Sequence, residues 1–537
     1  MTERSPASNT LVMFFLLLLT AVFGLTFINF SVPPFEDAAI LMRYADHFAN
    51  GHGIVWNIGE PPVDGATDFL FMIVLGFLVK AGLTLDFATR LIGISSHIAT
   101  VWIVYLASTR LFTARLWPAL VNATCLVVGP GLSYVAAYFG TPFFALFACI
   151  TWYVALTTIL KGESRNRAVV FAGSALMTAL IRPEGVILTS LMLVAIVYFN
   201  SVRPSRQTIL FFLAAFLFIG GAYFLWRWHY FGYPLPNPFY KKARYIIYPG
   251  SLRTSVLNTL KFSCPFLLAF IASLYSVKSA RWAIGISIPI AGFASAFVLI
   301  SDEMNFGSRF QYVLLPLVLM CWWPLTEPLK RDLRFLSPGD VSVRKRTAMV
   351  LIAVTVGVGA IYYEYEAGRT VYYRDGKYDV AMMLSDYRDK GFVMATSEAG
   401  LLPLYSQWRA LDTWGLNDQW IAHNGRITEE YLTRFEPELI VFYAYYSPLV
   451  PWEGARNWAW YDMVMTLEGY AEKNGYVLAA AFGDSPYQTH YYYVRPGREE
   501  SAEIIERIRS IDYYWSPTGR KAVNYATVRK TPDGTND

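Results

Sequence analysis

A chain of 537 residues in which 55% are hydrophobic, 17% aromatic and only 16% charged, with a mean hydropathy of +0.34, is too apolar for a soluble protein of this size. The formal net charge of +5 is small for the length, and no basic tract is long enough to follow a phosphate backbone, which excludes a nucleic-acid partner. What remains is an α-helical, multi-pass membrane protein whose four cysteines, Cys125, Cys149, Cys264 and Cys321, fall in or beside apolar runs and read as small core residues, not as a disulfide framework or a metal cluster.

The first apolar run, residues 11–30, is longer than the core of a cleavable signal and lacks a small-residue cleavage site before Pro33 and Pro34, so it reads as a retained span. Directly after it, Ile40, Leu41, Tyr44 and Phe48 recur at helical spacing and predict an amphipathic helix lying on the bilayer, with Glu36 and Asp37 in its first turn. Two readings of this acidic pair are open. It caps the helix, a contribution of roughly 0.5 to 2 kcal/mol, or it presents a carboxylate at the lipid–water boundary to take a proton from an incoming hydroxyl. Asp64 and Asp68 follow in the same loop.

Apolar runs long enough, or nearly long enough, to cross recur near 88–110, 116–130, 141–160, 168–181, 185–200, 208–229, 258–277, 282–300, 309–325 and 347–364, which gives about eleven spans. The run 69–83 is ambiguous, and basic residues decide it. Arg110 and Arg115, then Lys161, Arg165 and Arg167, then Arg203 and Arg206, then Lys278 and Arg281, then a cluster from Lys330 to Arg346 fall in every second connection. By the positive-inside rule these connections are cytoplasmic, and they share one side only if 69–83 does not cross. The expected organisation is a transmembrane part over 1–364, with a long first outer loop at 31–87, and an extracytoplasmic part over 365–537.

The outer connections carry the remaining polar features. Arg182-Pro183-Glu184 reads either as a local salt bridge at a helix end or as part of a site. Lys241, Lys242 and Arg244 stand beside aromatic residues on the side where few basic residues are expected; they are snorkelling anchors or a phosphate clamp. In SDEMNFGSRF, Asp302 and Arg309 form a membrane-end pair, or a sugar-binding carboxylate beside an anion-binding arginine.

From 365 the chain turns polar. A helical pattern at 379–389, strand patterns at 392–396, 409–412, 439–446, 476–483 and 488–495, and a helix at 458–473 predict a soluble α/β layer fold. It has no nucleotide-binding glycine fingerprint, His-Glu-x-x-His or Cys-x-x-Cys. Trp408, Trp414, Trp420, Trp452, Trp458, Trp460 and Trp515 are core residues or flat faces suited to sugar rings.

Several stretches resemble the polyprenyl-phosphate-dependent membrane glycosyltransferases of the C-type (GT-C) superfold, in particular the branch with the mycobacterial terminal arabinofuranosyltransferases. EDAAILMRYADHFANGHGIVWNIGEPPVDGATDFL, LIRPEGVIL, YFGYPLPNPFYKKA and FGSRFQYVLLPL occur in the order of that branch's motifs, over about residues 11–325. The branch's usual Asp-Asp is Glu36-Asp37 here, and an acidic residue often seen before Thr-Pro is Gly140. The resemblance implies sugar transfer from a polyprenyl-phosphate donor to a cell-envelope glycan or glycolipid acceptor on the outer face of the plasma (inner) membrane. It implies a catalytic carboxylate at Asp37 or Glu36, with Lys241, Lys242, Arg244, Arg309 and Arg182 at the donor phosphate, and Asp64, Asp68, Asn237 and Asp302 as substrate contacts. No cofactor is required by this arrangement; a divalent cation held by Glu36, Asp37 and Asp302 stays open. The competing class, a transporter or lipid-linked-sugar flippase with a glycan-binding outer domain, expects ionisable residues at mid-membrane and repeated halves. Here charges gather at span ends and no repeat is visible.

Overall fold

The structure is a computed structural model that describes residues 6–114, 116–200, 205–242, 247–263, 266–274, 277–301, 304–326, 374–444, 458–485, 488–516 and 518–527. Cys264, Arg244, Asp302, Trp452 and the apolar run 347–364 lie outside the described residues.

The N-terminal part is helical throughout. α1 (Pro6–Phe27), α2 (Glu36–Ala49), α3 (Phe69–Lys80), α4 (Leu85–Leu106), α5 (Leu116–Val127), α6 (Gly131–Ala136), α7 (Thr141–Lys161), α8 (Arg165–Ile181) and α9 (Glu184–Phe199) are followed by α10 (Arg206–Ala214) and α11 (Gly221–Phe231), which a wide turn at Ala215–Gly220 joins. α12 (Asn237–Lys242), α13 (Pro249–Ser263), α14 (Leu267–Ser273), α15 (Val277–Ala296) and α16 (Leu314–Cys321) complete it. Among the described residues, four helical stretches are long and apolar enough to cross a membrane: Leu85–Leu111, Pro118–Ala136, Thr141–Lys161 and Arg206–Phe231. Arg206–Phe231 is the least covered of them by the rest of the protein, as expected of a helix that meets lipid. α3, the ambiguous run, is only 12 residues long; at 1.5 Å per residue it reaches about 18 Å, well short of a core of about 30 Å. The three described cysteines are buried and unbridged.

α2 departs from expectation. Instead of lying on the bilayer with one dry face, it buries Ala38 through Ala45 and His47. α3 packs on one side of it, and a helix of the C-terminal part covers another. The alternation visible in the sequence describes only the first of these two contacts.

The C-terminal part is a six-stranded mixed sheet. Its strands are β1 (Val393–Thr396), β2 (Arg409–Asp412), β3 (Leu439–Ala444), β4 (Val477–Ser485), β5 (Gln488–Val494) and β8 (Val523–Asn524), in the spatial order β2-β1-β3-β5-β4-β8, and β6 (Tyr514–Trp515) pairs with β7 (Arg520–Lys521). β1 runs parallel to β2 and β3, and the remaining pairs are antiparallel. Its helices are α17 (Gly376–Leu384), α18 (Leu401–Ser406), α19 (Gln419–Asn424), α20 (Glu429–Thr433), α21 (Trp458–Lys473) and α22 (Ser501–Arg509). Alternate strand residues serve two cores, as the period of two requires. Met394, Leu439, Val441, Tyr492 and Val494 belong to the core shared with the helical part, while Ala395, Ile440, Phe442, Tyr491 and Tyr493 join Trp460, Met463 and Leu467 of α21. The sheet therefore lies between the membrane part and a helix of its own.

The loop between α2 and α3 holds the two parts together. Asn57 takes both backbone groups of Ala410 on edge strand β2: its Oδ1 accepts from Ala410 N at 3.0 Å and its Nδ2 donates to Ala410 O at 3.0 Å. Trp56 Nε1 also donates to Ala410 O, at 2.9 Å. An edge strand that would otherwise offer unpaired groups is thus closed by a side-chain amide. Buried Arg43 of α2 donates to Trp56 O at 2.9 Å, to Trp408 O at 3.0 Å and to Pro403 O. Glu60 pairs with Arg409 at 2.5 Å.

Candidate active site

Where helix α2 begins, the two parts enclose a cavity of about 570 Å³. Its sheet-side wall lies beyond the carboxyl ends of the parallel strands, with Ser397 and Glu398 after β1, Asp412 and Trp414 at the end of β2, and Tyr443 on β3. This is the crevice where open α/β sheets place ligands, because the strand order there reverses and the loops diverge. The opposite wall is made by Pro33, Pro34, Phe35, Glu36, Asp37 and Phe306.

Glu36 and Asp37 both line the cavity but turn to different partners. Phe35 is the N-cap of α2, and no side chain caps the helix, so neither acid serves the capping role. Asp37 Oδ2 lies 2.5 Å from Arg309 Nη2, and the Asp37 side chain keeps 23% of its surface exposed. Arg309 is held in turn over the Phe139 ring at 4.1 Å. Glu36 instead reaches into the C-terminal part. Its Oε1 accepts from Gly400 N at 2.5 Å and Leu401 N at 3.3 Å, and its Oε2 lies 2.9 Å from Lys377 Nζ. Gly400 is required by this approach, since a Cβ there would stand 2.0 Å from Glu36 O.

Lys377 belongs to no sequence motif, yet it is the centre of the sheet-side charges. Its ammonium lies 2.7 Å from Glu398, 2.9 Å from Glu36 and 3.9 Å from Asp375. Burial pushes Glu36 up to about 7, and Lys377 offsets this only in part. Burial also raises Asp375. It acts the same way on Glu398, but there Lys377 outweighs it and holds the carboxyl below its usual range. Three carboxylates around one ammonium share a deficit of positive charge, and Glu36 and Asp375 are the members that burial raises. His490 Nε2 approaches Glu398 at 3.7 Å; burial pushes the imidazole down to about 3, so it is neutral at pH 7 and this contact is not an ion pair. Asp412, raised by burial, accepts from the backbone N–H groups of Trp414, Gly415 and Asn417 and from Asn417 Nδ2, at 2.8 to 3.0 Å.

The other expected site residues divide. Arg182 is presented by Pro183, which forces it out of the helical region at the end of α8, to φ −141° and ψ 139°. It pairs with Asp68 at 3.3 Å and with Glu184 at 3.1 Å, so the local bridge exists and extends to the first loop. Asp68, raised by burial, also fills the space beside Gly140: a Cβ at 140 would stand 2.9 Å from Asp68 Oδ2. The carboxylate missing at 140 has a neighbour in its place. Asp64 pairs with Arg227 at 2.6 Å and its backbone oxygen accepts from Asn237 N at 2.9 Å; neither residue lines the cavity. Lys241 Nζ donates to Gly425 O at 2.8 Å and lies 4.2 Å from the centre of the Trp414 ring, at the cavity rim. α12 ends at Lys242, whereas Arg244 and Asp302 lie outside the described residues. Among the described residues, no group of three or more acidic, histidine or cysteine side chains is arranged to hold a metal ion. Of the tryptophans, Trp414, Trp460 and Trp515 line the cavity, and Trp408 is buried elsewhere in the core.

A family model described as a domain of unknown function, DUF8728, matches residues 362–497. A search of the curated proteins found no match. Among solved structures, ArnT from Cupriavidus metallidurans in the apo state aligns over 91% of this chain and 98% of that chain, at 13% identity and a TM-score of 0.58. The same protein bound to undecaprenyl phosphate aligns over the same shares at 13% identity and a TM-score of 0.54. A structure of the arabinofuranosyltransferase AftD from Mycobacteria aligns over 93% of this chain and 42% of that chain, at 16% identity and a TM-score of 0.47. At these identities the likeness shows the fold alone: the chain shares the architecture of the ArnT structures.

Proposed function

We propose that this protein moves a sugar from a polyprenyl-phosphate donor to a hydroxyl of a cell-envelope glycan or glycolipid, with the cavity and the C-terminal part on the outer face of the plasma (inner) membrane. The carrying observation is that Asp37 keeps an exposed carboxylate edge on the cavity wall while Arg309 grips its other side. In this reading Asp37 takes the proton of the acceptor hydroxyl as its oxygen attacks the anomeric carbon. The bond from that carbon to the phosphate oxygen breaks, and the polyprenyl phosphate leaves with the electron pair. Arg309 and Arg182, with Lys241, Lys242 and Arg244 of the outer loop, balance the charge that grows on the phosphate. A solved neighbour was captured with undecaprenyl phosphate, which supports a lipid phosphate as the carrier. Glu36 plays a different part. Gripped by Lys377 and Gly400, it fixes the first turn of α2 against the sheet.

The test compares two neighbours. Asp37→Asn keeps size and removes the base, so turnover should fall roughly 10²-fold to 10⁴-fold with donor binding intact. Glu36→Gln keeps the acceptor oxygen for Gly400 and should cost far less. Equal turnover of Asp37→Asn and wild type overturns the assignment.

A further inference from the structure

A volume of about 570 Å³ is ordinary for a small-molecule site, but its lining is not neutral. Glu36, Asp37, Asp375, Glu398 and Asp412 face it, and Lys377 is the one lysine or arginine among its described lining residues. Arg309 answers Asp37 from behind the wall. Asp412 is satisfied by its own turn, through dipoles and without a cation. The sheet side therefore presents more carboxyl groups than cations in a buried setting, and its one lysine is already held by three of them. Between the carboxylates stand aromatic rings. Trp414 and Trp460 lie 4.9 Å apart at 50°, and Trp515 stands 6.0 Å from Tyr443. The Trp460 N–H is fixed on Tyr443 O at 2.8 Å, which holds that ring in place. The indole N–H of Trp515 has no acceptor among the described residues. Ring faces suit the C–H faces of a sugar, and carboxylate oxygens suit its hydroxyl donors. A phosphate or carboxylate brought into the same space meets like charge.

We propose that the sheet-side wall of this cavity is the acceptor subsite, and that it selects an uncharged, hydroxyl-rich sugar unit and rejects sugars bearing carboxylate or phosphate. The role as acceptor site rests on the transfer reading above. The selection by charge rests on the wall alone.

Tryptophan fluorescence of the full chain in nanodiscs, without donor, tests the subsite separately from turnover. The probes are neutral trisaccharides (maltotriose, mannotriose and arabinotriose) and trigalacturonic acid. At least one neutral probe should change the emission saturably, and trigalacturonic acid should bind about tenfold or more weakly than that probe. Trp414→Phe, at a half-buried position, should remove most of the signal at an unchanged melting temperature. If thermal unfolding shows that this variant is damaged, Trp460→Phe takes its place. Binding of the acidic probe as tightly as the neutral ones, no binding of any neutral probe, or a full signal in both folded tryptophan variants would overturn the proposal. Neutral-sugar binding without transfer would leave the subsite standing and remove only the transferase reading; transfer to an acidic acceptor would do the reverse.

Discussion

The two walls of the cavity handle charge in opposite ways. On the helical side Asp37 on the cavity wall has Arg309, and away from the cavity Asp64 has Arg227 and Asp68 shares Arg182 with Glu184. On the sheet side three carboxylates crowd one lysine, and the balance is met by a raised Glu36 carboxyl. A paired wall can release a cation toward a new anion when its carboxylate takes a proton. A crowded wall has no cation to spare. Glu36 and Asp37 are adjacent in sequence yet take their partners from different sides, Lys377 and Gly400 for one and Arg309 for the other, which is why two acids of the same type are expected to fail differently.

The contrast between the walls should break first at Arg309. Arg309→Gln leaves Asp37 without its partner and removes a cation proposed for the donor phosphate, so single-turnover transfer should slow about 10²-fold to 10³-fold, with a smaller change in donor KM. A variant within about threefold of wild type would mean that the helical wall does not meet the growing charge. Next is the joint between the walls. Arg43→Ala deletes charged hydrogen bonds to three buried carbonyl oxygens and should cost about 3 kcal/mol or more, read as a lower melting temperature and faster proteolysis of the C-terminal part. Asn57→Ala frees both backbone groups of Ala410 and should cost about 1 to 3 kcal/mol in the same measurement.

A further effect concerns pH. The Glu36 carboxyl titrates near 7 in the folded protein against an ordinary value of 4.5, so between those values the folded state holds a proton that the unfolded state has released. Its contribution to stability is fully present below about 4.5 and is lost as pH rises through about 7. Glu36→Gln removes this contribution. The melting temperature of the wild type should therefore decline more steeply from about pH 5 to about pH 7.5 than that of the variant, and parallel curves would show that Glu36 is ionised throughout.

Local pattern carried the sheet well. The strand patterns at 392–396, 409–412 and 439–446 fall within two residues of the observed bounds of β1, β2 and β3, and the helix pattern at 458–473 coincides with α21. The opening acidic pair stood out as a candidate because acids are scarce beside a membrane, and both acids line the cavity. Its division of labour was not legible, since the partners that split it lie more than 270 residues away: Arg309 stood out as part of FGSRFQYVLLPL, and Lys377 carries no motif. For the same reason α2 read as a surface helix: the helix α18 that covers it comes from residues 401–406. The GIVWNIGE stretch, distinctive enough to suggest a family, proves to be the fastening of the first loop to strand β2, which one strand pattern seen without its neighbour does not announce.

Glycosyl transfer itself is tested most directly by giving the purified full-length protein, in nanodiscs, a panel of polyprenyl-phosphate sugars with radiolabelled sugar and a cell-envelope glycan acceptor. Label from one donor should move to the acceptor, with release of one polyprenyl phosphate per sugar transferred. Donor that binds and stays intact with every acceptor offered, or label that crosses the membrane still attached to its lipid, would contradict a transferase.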